Sequence, residues 1–502
     1  MEEPYELPEG WVWCKLEDVI NDFQHGFACG ARDDKGYVQL RMNNIGLNGK
    51  IVSDKILKVP IERINLEKYN LRFGDILFNN TNSVELIGKT ALFRDEIENC
   101  TYSNHITRIR PDTRLIKSEF LLNLFIIEYN NGLFRMMCHR FVGQAGISRE
   151  KLLKHAICLP PLNEQQRIVA KLEALRAQVN TSKDHLAKVP PFIKQFRQSV
   201  LAAACSGRLT EDWRREHPDV TPAMELLENI FRRRLDEADT PTKKQRISDI
   251  YSYQEEQDSV LLPPGWEYIA LDELCKSFQY GSSKKSMPEG KIPVLRMGNL
   301  QNGEIDWNDL VYTSNEEEIE KYSLEPGTVL FNRTNSPELV GKTAIYRGER
   351  PAIFAGYLIR INNYQELDSE YLNYCLNTTQ EKEHCLRVKT DGVSQSNINA
   401  QKLGKFEIPF CSLEEQQEIV RRVDTLFKVV KSIEDRYNKA NSQVDNLTQS
   451  LLSKAFRGEL VPQDPNDEPA SVLLERIKKE RAEQEEMKKA QKRKSKTLLD
   501  FN

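Results

Sequence analysis

Between residues 419 and 451 apolar side chains recur at alternating spacings of four and three: Ile419, Val423, Leu426, Val430, Ile433, Tyr437, Ala440, Val444, Leu447 and Leu451. Such a stripe occupies one side of a long helix and needs a partner stripe to bury it, the pattern of a coiled-coil seam. Ile168, Leu172, Leu175, Val179, Ser182, Leu186, Val189, Ile193, Phe196 and Val200 keep the same spacing in the first half. There Pro190 and Pro191 remove backbone donors and crowd the preceding turn, so a kink or break is expected near Val189. Two seams of equal length most simply pair with each other; the alternative is that each helix packs on its own globular unit.

Outside these stripes the pattern is mixed. Short β-rich runs, such as residues 75–78 and 90–93, are bounded by Gly and Asn turns, and helices are expected at 118–129 and 369–376. The chain also repeats itself after about 250 residues. Leu7-Pro8-Glu9-Gly10-Trp11 returns as Leu262-Pro263-Pro264-Gly265-Trp266, and Leu40-Arg41-Met42 as Leu295-Arg296-Met297. Leu77-Phe78-Asn79, Thr81-Asn82-Ser83 and Gly88-Lys89-Thr90-Ala91 return as Leu330-Phe331-Asn332, Thr334-Asn335-Ser336 and Gly341-Lys342-Thr343-Ala344. Leu162-Asn163-Glu164-Gln165-Gln166-Arg167-Ile168-Val169 matches 413–420, and Ser199-Val200-Leu201 with Gly207 matches Ser450-Leu451-Leu452 with Gly458. The expected fold is therefore mixed α+β, with each half a globular unit followed by a helix. The globular units fall at 1–158 and 259–410, the helices at 159–210 and 411–460. A helical, charged linker covers 211–258, and a charged extension 461–502.

Length and charge fit this division. A chain of 502 residues is too long for one ordinary core. The net charge of -4 does not advertise nucleic-acid binding, yet residues 1–155 hold 21 basic and 21 acidic side chains, so a basic face backed by an acidic one is compatible with it. The acidic N-terminus lacks the order of a signal peptide, and no apolar run approaches the ~20 residues of a membrane span, which points to the cytoplasm. Ten cysteines are scattered without a Cys-x-x-Cys pair, and only Cys138-His139 sets two metal-ligand types side by side, so reduced buried thiols and no metal site are expected.

Catalytic motifs are missing. Residues 83–90 approach the phosphate loop Gly-x-x-x-x-Gly-Lys-Thr, but Ser83 and Ser336 replace the first Gly, without which the tight turn over phosphate is lost. An amino-methyltransferase would show Asn or Asp before Pro-Pro-aromatic, whereas the nearest approach is Val189-Pro190-Pro191-Phe192 inside a helix. No glycine-rich cofactor loop or nuclease carboxylate cluster is present, and His105, beside Ile106 in a β-rich run, reads as structural. No catalytic residue is expected.

The Leu-Pro-x-Gly-Trp openings, Gly74-Asp75-Ile76-Leu77-Phe78 through Gly88-Lys89, residues 159–169, and Ser199-Val200-Leu201 before Gly207 together resemble the DNA-specificity subunits of type I restriction-modification systems over nearly the whole chain. The second copy departs at Thr328, which stands for Asp, and at Cys411-Ser412, which stand for Pro-Pro. The resemblance implies two α/β target-recognition domains, each followed by a long helix, with the two helices in an antiparallel coiled coil. It also implies double-stranded DNA as ligand and assembly with two modification (methyltransferase) subunits, which motor-nuclease (restriction) subunits then join. S-adenosylmethionine, and ATP and Mg²⁺ where a motor-nuclease joins, belong on those partners, with no cofactor on this chain. A helix from Ile419 to Leu451 would span about 50 Å at ~1.5 Å per residue, near the rise of about 14 base pairs at ~3.4 Å each. Related by a pseudo-two-fold axis, the domains would form a caliper. A coiled-coil scaffold that binds only proteins, and an independent enzyme, are the other readings.

A bipartite target with unlike halves cannot be read by side chains common to both domains. Shared residues therefore hold phosphate or the fold: Asn79, Thr81, Asn82 and Lys89, with Asn332, Thr334, Asn335 and Lys342, for which turn chemistry is the alternative. Base readout is expected where equivalent positions differ. Arg32, Asn43, Asn80, Arg140 and Gln144 are the candidates in the first copy. Lys284, Lys285, Arg333, Lys389, Gln395 and Asn397 are those in the second, each alternatively an exposed residue without a contact. The tail beyond Ile477, with Lys488-Lys489 and Lys492-Arg493-Lys494, is expected as a charged helix or solvated arm.

Overall fold

A computed structural model describes residues 6–251, 262–393 and 395–499, with side chains as far as 489. The chain forms two compact units, one from Met1–Ala187 with Asn438–Asn502, the other from Lys188–Tyr437. Among the described residues no helix is long and apolar enough to cross a membrane.

In the first unit a four-stranded antiparallel sheet runs in the order Ile20–His25, Ile106–Pro111, Ile76–Asn79, Thr90–Leu92, and its central strand Ile76–Asn79 is a short apolar run buried at every position, as a strand covered on both faces requires. Helix Ser118–Asn130 buries Phe120, Leu121, Leu124 and Phe125 in the core behind that sheet. A smaller sheet places Tyr37–Leu40 between Leu57–Val59 and Cys100–Tyr102, and Val12–Lys15 pairs with Ala156–Leu159 to close the domain. The second unit repeats the plan. Its main sheet runs Cys275–Tyr280, Leu358–Asn363, Thr328–Asn332, Thr343–Tyr346, with helix Ser369–Leu376 behind it, and Glu267–Ala270 pairs with Glu407–Phe410. Strands and helices thus stand within one or two residues of the expected runs.

The same buried hydrogen bonds clamp helix to domain in both copies. Trp11 donates its indole N–H to Glu164 at 3.0 Å, and Trp266 donates to Glu415 at 2.8 Å. Gln165 receives the Lys117 amide and donates to the Leu115 and Pro160 carbonyls; Gln416 receives the Asp368 amide and donates to those of Glu366 and Cys411. This explains why Glu-Gln-Gln precedes each seam: its first Gln satisfies three backbone groups at the junction, two of them through buried bonds.

The helix of the first seam breaks where its prolines predict, ending at Leu186 and resuming at Val189. Helix Leu413–Phe456 is continuous. Within the first unit Ile168, Leu172 and Val179 are buried, Leu175 and Leu186 half-buried, and Lys183 pairs with Asp445 at 2.7 Å. Within the second, Ile419, Val423 and Val430 are buried, Leu426 half-buried and Ile433 exposed. There Arg197 lies 4.9 Å over the Phe427 ring and pairs with Glu434, while Thr210, further along, donates to Glu415, so these helices run antiparallel.

The expected helical, charged linker and the tail, expected as a charged helix or solvated arm, both contain helices, and both bury apolar residues that their charge conceals. Residues 211–251 form helices Glu211–Glu216, Ala223–Glu237 and Pro241–Tyr251, and residues 252–258 lie outside the described ones. The tail is a helix, Ala470–Leu499, but Ala470, Leu473, Leu474 and Ile477 are buried in the first unit's core with Leu452 and Phe456. Ala223, Leu227 and Ile230 are buried likewise in the second. The physical reason is an apolar stripe at spacings of three and four that a charged background conceals. Lys488 and Lys489 are exposed; the side chains of Lys492, Arg493 and Lys494 lie outside the described residues.

Candidate nucleic-acid interface

Beyond Asn79 the central strand of the first domain leaves its sheet, and Thr81–Asn82 pairs with Gln144–Gly146, which turns back on His139–Phe141. The result is a small three-stranded sheet with Arg140, Phe141, Val142 and Gln144 exposed around the hairpin tip, where Gly143 takes φ +76°. The second domain repeats it with Thr334–Asn335, Ser396–Asn397 and Thr390–Asp391, and Val393 and Gln395 are exposed at its tip. Asn397 donates to Thr334 at 2.8 Å, tying two of its strands together, and Lys389 pairs with Asp391. Each hairpin is an exposed edge carrying both polar and apolar side chains, a two-stranded projection of the kind that can enter a DNA groove.

Where this sheet leaves the domain, the copies diverge. Asn80 donates to His25 Nδ1 at 2.8 Å and to Thr107 at 3.0 Å, and both burial and the charge of Arg149 hold the His25 pKa below its usual value. The corresponding Arg333 lies 4.5 Å over the ring of Tyr280, the counterpart of His25. Sequence reasoning singled out Asn80 and Arg333 but missed His25, Tyr280, Phe141 and Val142. Alignment of the two copies beyond their identical motifs would have exposed the His–Tyr difference; nothing in the apolar pattern marks an exposed hairpin tip.

The shared residues sit elsewhere in chemistry. Lys89 is only 9% exposed, and its ammonium donates to the carbonyls of Ile45 at 2.7 Å and Met42 at 3.1 Å. Burial lowers its pKa. Asn79 is fully buried and donates to the same Met42 carbonyl, while Asn82 and Asn335 accept from the amides of Ser83 and Ser336. Asn332 is buried and accepts from the Thr334 amide, and Lys342 donates to Gln301 at 3.1 Å. These contacts favour turn and fold chemistry over phosphate binding, and Thr81 and Thr334 are carried in the small sheets themselves.

Arg32, Asn43, Lys284 and Lys285 are exposed but flank a different strand, Tyr37–Leu40 or Ile292–Leu295, Asn43 on the short 3-10 helix Met42–Asn44 and the others on loops, not on the hairpin sheets. Arg32 folds back on the Cys29 and Ala31 carbonyls, and Lys284 stands 3.6 Å from Glu318. Among the described residues no group of His, Cys, Asp and Glu could hold a metal. His105 is half-buried in the turn before Ile106–Pro111, and none of the ten cysteines forms a disulfide.

The family model of the type I restriction modification DNA specificity domain matches residues 8–190 and again 263–442. The specificity subunit of the type I restriction enzyme EcoKI of Escherichia coli K12 is 28% identical over 498 residues, covering 95% of this chain and 97% of that protein. That of StySPI from Salmonella potsdam is 28% identical over 501 residues, covering 95% and 96%. Among solved structures, the HsdS subunit from Thermoanaerobacter tengcongensis superposes with a TM-score of 0.53 at 21% identity, covering 91% of this chain and 99% of that one. A chain from a type I R-M system, solved for its complex assembly and conformational transition, superposes at 0.63 with 22% identity, covering 91% and 100%. These two carry the fold.

Proposed function

The chain belongs to the type I restriction-modification DNA specificity family, and from that premise we propose that it reads a bipartite DNA target, one half through each recognition domain. Specificity subunits are the non-catalytic components of their complexes, acting with methyltransferase and restriction subunits on DNA. In this reading the chain works in the cytoplasm with two modification subunits that bring S-adenosylmethionine, and motor-nuclease subunits bring ATP and Mg²⁺. The helices on the two seams, as an antiparallel coiled coil, set the gap between half-sites.

The observation that supports this best is the hairpin sheet, built twice on equivalent strands and bearing unlike exposed residues at matching positions: Arg140 and Phe141 in one copy, Asp391 and Gly392 in the other. A scaffold that bound only proteins gives no reason for one framework to be built twice with unlike residues at matching edge positions. The test is to replace residues 5–154 by the corresponding domain of another family member and map methylated sites with the assembled complex. One half of the target should change and the other should stay. A change in both halves, or in neither, overturns the reading.

A further inference from the structure

Both units are closed by a helix with the same opening, Pro222-Ala223 in one and Pro469-Ala470 in the other. Ala223, Leu227 and Ile230 are buried on their domain, and Ala470, Leu474 and Ile477 hold the matching positions on theirs. One turn on, Arg234 donates to the carbonyls of Asp272 at 2.7 Å and Glu273 at 3.4 Å, and Arg481 donates to that of Asp18, the counterpart of Glu273, at 2.9 Å. Apolar stripe and backbone contact are common to both surfaces, so neither tells one helix from the other.

The discrimination lies beside them, in the loops that follow Ile106–Pro111 and Leu358–Asn363. Arg233 pairs with Glu366, whereas at the same helical position Glu480 pairs with Arg114 at 3.3 Å. Helix and domain have exchanged charges between the two copies. The flanking contacts divide in the same sense. Arg481 reaches Asp112 and Lys478 reaches Asp18, both at 2.8 Å, while in the other unit Tyr364 replaces Asp112 and Phe231 replaces Lys478. There Phe231 packs 4.7 Å from the ring of Tyr251, and Arg234 lies 5.3 Å over that ring. Placed on the wrong domain, Glu480 would face Glu366 and Arg233 would face Arg114.

We propose that this reversed ion pair is a docking code: each recognition domain carries a surface for one helix of this chain and rejects the other, whether offered by its own chain or by a second copy. Rejection by like charge is what selects between two partners whose attractive contacts are nearly equal.

The second unit provides the cleaner test, because among the described residues the Arg233 guanidinium and the Glu366 carboxylate form hydrogen bonds and ion pairs to no other side chain. In the full chain, Arg233→Glu or Glu366→Arg alone should speed amide hydrogen exchange across 223–237 by about two- to fivefold, the range of a partly exposed pair, and the double variant should return it to within about twofold. In a second variant residues 470–484 replace 223–237. The transplanted helix should exchange faster than the native one, and Glu366→Arg should slow it. Exchange of the transplant at the native rate, or a double variant no slower than either single, overturns the code. The point variants decide the matter where the transplant fails to fold.

Discussion

Against one glycine the two recognition domains fill the same corner with different residues. In the first, Phe134 is wholly buried against Gly88, edge-on to Phe78 and Phe125 with ring centroids 5.0 and 5.7 Å away. In the second, Cys385 occupies that place against Gly341, and Phe331 packs instead on Phe406 at 6.0 Å. Both glycines hold φ above +80°, and a Cβ there would meet the neighbouring side chain at 2.5 Å, so the glycine is kept while its neighbour varies. Gln165 and Gln416, by contrast, keep identity and geometry together. A residue that fills volume can be traded if its neighbours repack; one that satisfies three backbone groups, two of them through buried bonds, has no substitute.

The contrast breaks first at Phe134. Phe134→Ala should cost about 3–5 kcal/mol, and Cys385→Ala only about 1 kcal/mol, read as loss of exchange protection in Ser118–Asn130 and Ser369–Leu376 under denaturant. Equal losses would show that the corner is not filled independently in each domain. Next in size, Gln165→Ala and Gln416→Ala should each cost about 3 kcal/mol in their own unit, since each leaves buried backbone groups unpaired. A twofold disparity between them would refute the equivalence of the clamps.

At the recognition edge the effects are smaller. Arg140→Ala or Gln144→Ala should relax base preference in one half-site by about 1–3 kcal/mol per contacted position and leave the other half unchanged. Lys89→Met should lower the stability of the first unit and leave the salt slope of DNA binding as it is, because its ammonium serves carbonyls and not phosphate. Selection of methylated sites from a random library, with affinities at two salt concentrations, separates these outcomes.

The smallest effect is on pH dependence. Burial works against the charged Asp112 carboxylate, but hydrogen bonds from Arg114 and Arg481 outweigh it and hold its pKa at about 2, below the ordinary 3.8. The stabilisation is therefore whole above pH 3.8 and lost as pH falls towards 2. Tyr364 offers no such carboxylate, so protection of 470–488 should decline over that window relative to 223–237. Parallel decline of the two helices would remove Asp112 as the cause.

What could be read from the residues alone was whatever repeats or alternates. The duplicated motifs located both domains, the four-three spacing marked the seams, and Pro190-Pro191 marked the break between Leu186 and Val189. Depth was not legible. Lys89 stands in a polar turn sequence that resembles a phosphate loop, and only folding shows that the Met42 and Ile45 carbonyls enclose it. Nor was the assembly of the first unit from both ends of the chain. Its trace was present in Pro222-Ala223, Leu226-Leu227 and Glu228 against Pro469-Ala470, Leu473-Leu474 and Glu475. That match extends the repeat past Gly207 and Gly458, but the dense charge around it reads as solvated surface.

Because the first unit takes Leu452, Phe456, Leu473 and Ile477 into its core, order of synthesis and order of folding part company. The second unit is continuous in the chain and can close as soon as it leaves the ribosome. The first emerges earlier yet must wait for roughly 250 further residues, about 10–50 s at ~5–20 residues per second. During that interval the side of Phe120 that Phe456 covers stands without that ring, so the nascent first domain keeps apolar surface open until the last helix arrives.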